Sequence, residues 1–311
     1  MPLPYHWQLR LARWKQIFGS MFGGSGEKRP QLCPACGALV GIHANRCHEC
    51  GTSLRFSLAA WSKGLSEFFG GHAPVTAVVL IVNVLMFGVS ILGTIHSGET
   101  FGLFSGVGNV ELYRLGENLP YFTPPFSSGI SPLWRLILAT FLHGGLLHIG
   151  FNMMVFMDIA PVVEELYGSA RFLFLYVACG IGGSLLSCTF GSKPSVGASG
   201  AIMGIIGLLI AVTTRRGGAN IKAMRSRLIS WVVTIFAFGF LFPGIDNWGH
   251  LGGLATGFLL GRVFVDRQPA PGPERTRAYL LGWLAGAVVI AAFVFMFLHL
   301  KDPLPGWLAP Q

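Results

Sequence analysis

The sequence predicts an all-α polytopic membrane protein, and three observations support this fold class. The mean hydropathy of the 311 residues is +0.60, and only 11% of them are charged. The chain has 43 glycines, a residue type that is common where membrane helices pack closely. Seven apolar runs are candidate membrane spans, at roughly residues 75–95, 143–163, 171–190, 198–214, 228–243, 250–265 and 279–299. Because the second and sixth runs contain histidines, a count of six stays open.

Basic residues between the runs predict the orientation in the membrane. Nine of them lie between the fourth and fifth runs or between the sixth and seventh, namely Arg215, Arg216, Lys222, Arg225, Arg227, Arg262, Arg267, Arg275 and Arg277. Positively charged connections stay in the cytoplasm, so we expect these loops and the N-terminus inside and the segment 96–132 outside. This distribution accounts for the net charge of +9 without a nucleic-acid partner. We expect a multi-pass protein of a bacterial inner membrane.

Four cysteines near the N-terminus predict a small metal module. Cys33, Cys36, Cys47 and Cys50 form two C-x2-C pairs, each followed by glycine. Two such turns can direct four thiolates at one tetrahedral Zn²⁺, and the residues between them are too few to form a core without a metal. Disulfide bonds are the alternative, which a reducing cytoplasm disfavours. A four-thiolate site leaves no open position for water, so we expect a structural or regulatory Zn²⁺ and no catalytic one.

The residues before these cysteines form a basic amphipathic pattern. Trp7, Leu11, Trp14, Phe18 and Phe22 fall on one helical face beside basic residues, which suits a helix lying on an anionic membrane surface. A frayed terminal helix is the alternative.

Ser199 is a candidate nucleophile. It lies at the external end of the fourth run, between Gly197 and Gly200, where the free N–H groups of a helix start can receive a developing negative charge. Gly197 lets the backbone turn, and Gly200 keeps the neighbourhood open. Close helix packing is the structural alternative, because Gly200 and Gly204 are spaced as in many membrane helix contacts.

A histidine at matching depth could act as the base. His250 lies at the external end of the sixth run, and Gly253, Gly257 and Gly261 follow on one face. These glycines allow the close helix approach that a Ser–His hydrogen bond requires. An interfacial histidine at a helix end is the alternative.

His148 and Asn152 are candidate donors for an oxyanion. They lie four residues apart near the external end of the second run. A metal site built from His143 and His148 is a weaker alternative, because their spacing does not place both on one helical face.

Together these residues resemble the rhomboid family of intramembrane serine proteases. The matching pieces are Trp134-Arg135, His148 with Asn152, the run Gly197-Ala198-Ser199-Gly200 with Gly204, and His250 with Gly253 and Gly257. The match covers about residues 74–265. The resemblance implies a six-helix core that hydrolyses peptide bonds in or near transmembrane segments of other proteins.

The resemblance also implies roles for single residues. Ser199 and His250 would form the catalytic dyad, and the side chains of His148 and Asn152 with the backbone N–H groups of Ser199 and Ala198 would form the oxyanion hole. Glu164 matches a family glutamate, but the arginine often found two residues later is Leu166 here. Met203 stands where many relatives place an aromatic ring against the histidine. We expect Asp246 to be solvated and Trp248 to plug a mobile cap over the site.

These interpretations divide the chain and leave three functions to compare. We expect an amphipathic segment at 1–30, a zinc-ribbon-like module at 31–55, a linker at 56–73, a rhomboid protease core at 74–268, and a linker with a C-terminal transmembrane helix at 269–311.

An active protease is the main hypothesis. A catalytically inactive relative that binds membrane clients is the alternative, and a transporter would show repeats and mid-membrane charges that the sequence lacks. The zinc ribbon would offer a platform for a regulatory partner.

Overall fold

A computed structural model describes residues 31–32, 39–40, 48–49, 73–102, 106–121, 133–242 and 244–308. The four cysteines, the amphipathic segment and the linker at 56–72 lie outside the described residues, so the predictions on them stay predictions. The chain divides into two compact units, Met1–Pro74 and Val75–Gln311. In the first unit, strands β1 (Gln31–Leu32) and β2 (Leu39–Val40) pair antiparallel, with Gln31 opposite Val40 and Leu32 opposite Leu39.

The described part of the second unit consists mainly of helices. Its α-helices are α1 (Pro74–His96), α2 (Asn109–Leu115), α3 (Arg135–Leu138), α4 (Leu146–Tyr167), α5 (Ser169–Phe190), α6 (Ser199–Arg215), α7 (Ala219–Leu241), α8 (Asn247–Val263) and α9 (Pro273–His299). A 3-10 turn, Ala139–Phe141, follows α3 directly. Five of these helices, namely α1, α4, α5, α7 and α9, are long and apolar enough to cross a membrane, and α6 is a shorter apolar helix. The chain is therefore an integral multi-pass membrane protein.

Each of the seven apolar runs falls on a helix, but several boundaries differ from the prediction. The seventh run was expected from residue 279, whereas α9 begins at Pro273, so Arg275 and Arg277 lie on this helix. The fifth run was expected to begin near residue 228, whereas α7 begins at Ala219, so Lys222, Arg225 and Arg227 lie on its first turns and not in a loop. Charged side chains are tolerated there because these turns are largely exposed. The second run was expected from residue 143, whereas α4 begins at Leu146, after Gly144 and Gly145.

Helix α6 lies at the centre of the second unit. It packs against α4, α5, α7 and α8, and most of its side chains from Ala201 to Thr213 are buried. A helix that is apolar on every side is stable in such a position because protein surrounds it. Helix α7 is the opposite case, since Leu228 is its one buried side chain among the residues described.

Glycines let α8 approach α6 closely. A Cβ atom on Gly253 would overlap the carbonyl oxygen of Gly200, and one on Gly257 would overlap that of Gly204. The two helices therefore touch backbone to backbone along two turns, which is how small residues drive association in membranes. Since Ser199 begins α6 and His250 lies in the first turn of α8, this contact brings both residues to one end of the helix pair.

Helix α9 packs on the same unit along most of its length. At its start, Glu274 pairs with Arg171 of α5 at 2.8 Å and with Arg267 at 3.1 Å. Further along, Phe293 meets Phe141, with ring centroids 6.0 Å apart. Helix α9, which contains the seventh apolar run, is therefore part of the packed second unit.

Candidate active site

The backbone before α6 is shaped for Ser199. Gly197 has φ +130°, a conformation that side-chain-bearing residues rarely adopt, and its N–H donates to the carbonyl of Ala139 at 2.8 Å. A Cβ atom at Gly197 would lie 2.7 Å from His148 Nε2 and 3.7 Å from Ser199 Oγ. Glycine is therefore required here both by the turn and by the two polar side chains that converge on it.

Ser199 and His250 are hydrogen-bonded to each other. Ser199 Oγ lies 2.9 Å from His250 Nε2, and His250 is buried at 4% exposure. When Nε2 is unprotonated, the serine hydroxyl donates to it, which is the arrangement of a nucleophile with its general base. The structure thus brings together the predicted nucleophile and the predicted base, although these two residues lie 51 positions apart in the chain.

His148 places its Nε2 atom close to Gly197 and Ser199. The N–H of Gly144 donates to its Nδ1 at 3.4 Å, which favours the tautomer with the proton on Nε2. Because a Cβ atom on Gly197 would lie close to both His148 Nε2 and Ser199 Oγ, that proton is near the serine hydroxyl. His148 can therefore donate a hydrogen bond to a negative oxygen that forms there.

Asn152 lies one turn further along α4. Its side-chain amide donates to the carbonyl of His148 at 2.8 Å, which leaves its second N–H for another acceptor. Ala198, the N-cap of α6, is fully buried, and the first N–H groups of a helix have no partner within the helix. The start of α6 thus offers backbone donors at Ser199, and α4 offers the side-chain donors of His148 and Asn152.

His143 contacts the ring of His148, with centroids 5.1 Å apart and planes at 70°. His143 is fully buried, and neither of its ring nitrogens has a hydrogen-bond partner among the residues described. The same part of the chain contains no group of three His, Cys, Asp or Glu side chains that could hold a metal. The geometry of this histidine pair is that of ring packing.

Asp246 was expected to be solvated, but both of its carboxylate oxygens accept hydrogen bonds within the protein. Its Oδ1 accepts the N–H of Gly249 at 2.9 Å and caps α8, and its Oδ2 accepts the hydroxyl of Ser195 at 2.6 Å. A sequence signal for the cap exists, because aspartate directly before a helix is a preferred N-cap residue. The partner Ser195 has no such signal and was missed.

Two aromatic contacts involve the first turn of α8. Phe236 of α7 places its ring 6.2 Å from that of His250, whereas Met203 is buried in the hydrophobic core. Trp248, expected to plug a cap over the site, lies in the first turn of α8 and packs on Phe190 with ring centroids 5.1 Å apart.

The Trp134-Arg135 pair anchors the segment between α2 and α4. The Arg135 guanidinium lies 4.3 Å from the ring of Tyr113 and 4.7 Å from that of Trp134. It also donates to the carbonyl of Tyr113 at 2.7 Å and to that of Glu117 at 3.2 Å. This arginine therefore holds α2 and α3 together.

A small polar cavity lies beside Ser199. Its polar lining includes Thr140, Ser184, Ser187, Ser195 and Asp246. Hydroxyl and carboxylate groups at this density can hold a buried water molecule, which needs two to four polar partners.

Fold and site together define a class, a polytopic helical membrane protein with a hydrogen-bonded Ser–His pair at the adjoining ends of two closely packed helices. Residues 131–267 match the model of the Rhomboid domain.

The chain is also similar to proteins whose names contain the word rhomboid. The chain is 36% identical over 234 residues to Rhomboid protease GluP of Bacillus subtilis. This alignment covers 75% of the chain and 42% of that protein. The chain is 34% identical over 188 residues to RHOMBOID-like protein 4 of Arabidopsis thaliana (56% of this chain, 48% of that protein), and 36% identical over 160 residues to Rhomboid-like protease 1 of Toxoplasma gondii (49% and 53%). The match therefore spans less than half the length of the first two relatives.

Proposed function

We propose that the chain is an intramembrane serine protease that hydrolyses peptide bonds in or near transmembrane segments of other membrane proteins. The observation that carries this proposal is the 2.9 Å contact between Ser199 Oγ and His250 Nε2 inside the Rhomboid domain. Relatives named as rhomboid proteases, among them those of Bacillus subtilis and Toxoplasma gondii, support the same activity.

The first half of the proposed reaction is acylation. His250 Nε2 removes the hydroxyl proton as Ser199 Oγ attacks the scissile carbonyl carbon, and the carbonyl oxygen becomes an oxyanion. His148 Nε2–H, the amide of Asn152 and the backbone N–H groups of Ser199 and Ala198 stabilise that oxygen. The protonated His250 then gives its proton to the leaving amine, and the acyl group stays on Ser199.

The second half is deacylation by water. His250 takes a proton from a water molecule, whose oxygen attacks the ester carbonyl, and Ser199 leaves with the proton returned by His250. The polar cavity beside Ser199 is a suitable store for this water. A transmembrane helix hides its carbonyl groups in internal hydrogen bonds, so substrates that unwind readily near the site are favoured.

The experiment that tests this proposal compares cleavage of a transmembrane reporter by purified wild type, Ser199→Ala and His250→Ala in liposomes. Matched controls are Ser230→Ala, an exposed serine on α7, and His96→Ala, an exposed histidine at the end of α1. We expect cleavage by wild type and both controls and none by the dyad variants. If wild type neither cuts nor reacts at Ser199 with a fluorophosphonate, the inactive client-binding alternative replaces the protease.

We further propose the membrane orientation and the N-terminal zinc module that the sequence predicts. The basic connections support a cytoplasmic N-terminus, a site opening to the external side and a bacterial inner membrane. The strands β1 and β2 pair on either side of residues 33–38, which contain Cys33 and Cys36, and this supports a structural Zn²⁺ module. Metal analysis of the purified chain tests the module, with one Zn²⁺ expected per wild-type chain and none in Cys33→Ser/Cys47→Ser.

A further inference from the structure

A side-chain hydrogen bond joins the loop before α6 to the start of α8. Ser195 Oγ donates to Asp246 Oδ2 at 2.6 Å, across 51 positions of sequence. Ser195 lies four residues before Ser199, and Asp246 lies four residues before His250. The link therefore connects the two segments that carry the proposed dyad, at equivalent places upstream of each member.

At the α8 end, Asp246 fixes the first turn of the helix. Its Oδ1 accepts the N–H of Gly249 at 2.9 Å, and its backbone carbonyl accepts the N–H of His250 at 3.1 Å. Both carboxylate oxygens are thus engaged with Gly249 and Ser195. Asp246 consequently acts on His250 through the backbone of the helix and not as a hydrogen-bond partner of the imidazole.

At the other end, Ser195 is itself held in place. Its backbone N–H donates to the carbonyl of Asn118 at 2.9 Å, and its carbonyl accepts the N–H of Asn118 at 3.0 Å. Asn118 is buried at 2% exposure, and its side-chain amide donates to the carbonyl of Ser184 in α5 at 2.9 Å. Asp246 is therefore bonded to a fixed point of the fold and not to a free loop.

We infer that the Ser195–Asp246 hydrogen bond is a positioning device that sets the distance between Ser199 and His250; this inference rests on the proposed protease function. Gly200 of α6 lies against Gly249 and Gly253 of α8, and the glycine contacts continue from there through Gly257 toward the far ends of both helices. Ser195 and Asp246 lie on the opposite side of the dyad, where this link joins the two backbones. A displacement of about 1 Å between reacting groups can lower a rate by roughly a hundredfold, so such a link matters for catalysis.

Two substitutions remove the link while keeping the local structure. Ser195→Ala deletes the hydroxyl and leaves the backbone pairing with Asn118. Asp246→Ser keeps a preferred N-cap residue for Gly249 but is too short to reach Ser195 as well. Two conservative variants, Ser195→Thr and Asp246→Asn, retain groups that can restore the contact. Ser230→Ala controls for loss of a serine hydroxyl, because the Ser230 hydroxyl donates within α7, to the carbonyl of Ser226.

The test measures kcat and KM for reporter cleavage and the thermal unfolding of each variant. We expect Ser195→Ala and Asp246→Ser each to lower kcat tenfold to a hundredfold with KM within about twofold of wild type. The double variant should be no slower than the slower single variant, because both changes break one contact. Ser195→Thr and Asp246→Asn should recover most of kcat, and Ser230→Ala should match wild type.

The outcomes separate this inference from the proposed function. If wild type cuts and Ser195→Ala cuts equally fast, the positioning role is wrong and the protease function stands. If the two single effects on kcat multiply in the double variant, the residues act independently and the inference is overturned. If wild type neither cuts nor reacts at Ser199 with a fluorophosphonate, the proposed function fails. The unfolding measurements then decide whether the link couples the two segments, and additive losses of stability would reject it.

Discussion

Phe236 of α7 meets the imidazole of His250 edge to face, with ring centroids 6.2 Å apart and planes at 90°. The aromatic ring against the proposed base therefore comes from a neighbouring helix and not from residue 203 of α6, where the chain has methionine. Perpendicular aromatic pairs are a preferred arrangement, since the positive edge of one ring meets the negative face of the other. The contact makes the orientation of His250 depend on the docking of α7.

Phe236→Leu is expected to slow cleavage while the protein stays folded. An edge-to-face pair is worth about 0.5–1.5 kcal/mol, which corresponds to a loss of roughly twofold to tenfold in kcat/KM. The control is Phe238→Leu, because Phe238 is exposed and its ring stacks on Phe242. Equal rates for Phe236→Leu and Phe238→Leu in reporter cleavage would show that the ring does not support the base.

Gly197→Ala is expected to abolish most of the activity. The substitution places a methyl group 2.7 Å from His148 Nε2 and imposes a backbone conformation unfavourable to alanine. Gly218→Ala is a matched control, because Gly218 also has a positive φ, +105°, but a Cβ atom there meets no atom within 4 Å. Both variants should lose a similar amount of thermal stability to backbone strain, and only Gly197→Ala should lose cleavage. A Gly197→Ala enzyme as active as Gly218→Ala would contradict the placement of His148 in the site.

Glu164→Gln is expected to destabilise the fold without changing the chemistry. The buried carboxylate of Glu164 accepts the N–H of Val75 at 2.9 Å and both the N–H and the hydroxyl of Thr76 at 2.7 Å, so it caps the start of α1. The amide has one acceptor oxygen and leaves a buried donor unpaired, at a cost of about 1–3 kcal/mol. Thermal unfolding measures this loss, with the exposed neighbour Glu165→Gln as control. A Glu164→Gln variant as stable as Glu165→Gln would refute the cap.

The helices could be predicted from the sequence because hydrophobicity and small residues encode them locally. The seven apolar runs fall on helices, and the glycine repeat at Gly253 and Gly257 indicated the close contact with α6 that the structure contains. The start of α7 was missed because its first turns are polar and exposed, and a hydropathy window cannot distinguish a solvated helix turn from a loop.

Some residues of the candidate site could be predicted from the sequence, and others could not. Ser199, His250, His148 and Asn152 could be selected because their chemistry and their position along each run were unusual. Ser195 and Phe236 could not, because a serine in a loop and a phenylalanine in an apolar helix are common, and their importance depends on which residue another segment places beside them. Asp246 falls between the two cases, since its cap position was readable and its contact with Ser195 was not.

Deletion of residues 1–70 is expected to leave cleavage intact. The second compact unit begins at Val75, and α1 with its cap from Glu164 remains complete in such a truncation. A deletion extended through residue 80 is the matched control, because it removes Val75 and Thr76 and so leaves the Glu164 carboxylate without these partners. Reporter cleavage should survive the shorter deletion and be lost with the longer one. A folded 71–311 protein that does not cut would show that the first unit is required for catalysis.

The stability of the fold is expected to decrease as pH rises from about 4.5 to 7, in part through Glu117. Burial raises the pKa of Glu117 from 4.5 to about 7, against an opposing effect of the Arg135 charge. The folded state therefore binds this proton more tightly than the unfolded state, and the stability it contributes at low pH is lost as the carboxyl ionises. At about 1.4 kcal/mol per unit, the loss is on the order of 1–3 kcal/mol.

Thermal unfolding of wild type and Glu117→Gln between pH 4.5 and 8 checks this prediction. Other carboxyl groups titrate in both proteins, so the difference between the two curves isolates Glu117. The uncharged amide should make the variant relatively more stable as pH rises, with most of the change complete by about pH 8. Glu99→Gln, a substitution at an exposed residue of the segment between α1 and α3, should follow the wild-type curve. Parallel curves for wild type and Glu117→Gln would mean that this carboxyl ionises as readily in the fold as in the unfolded chain.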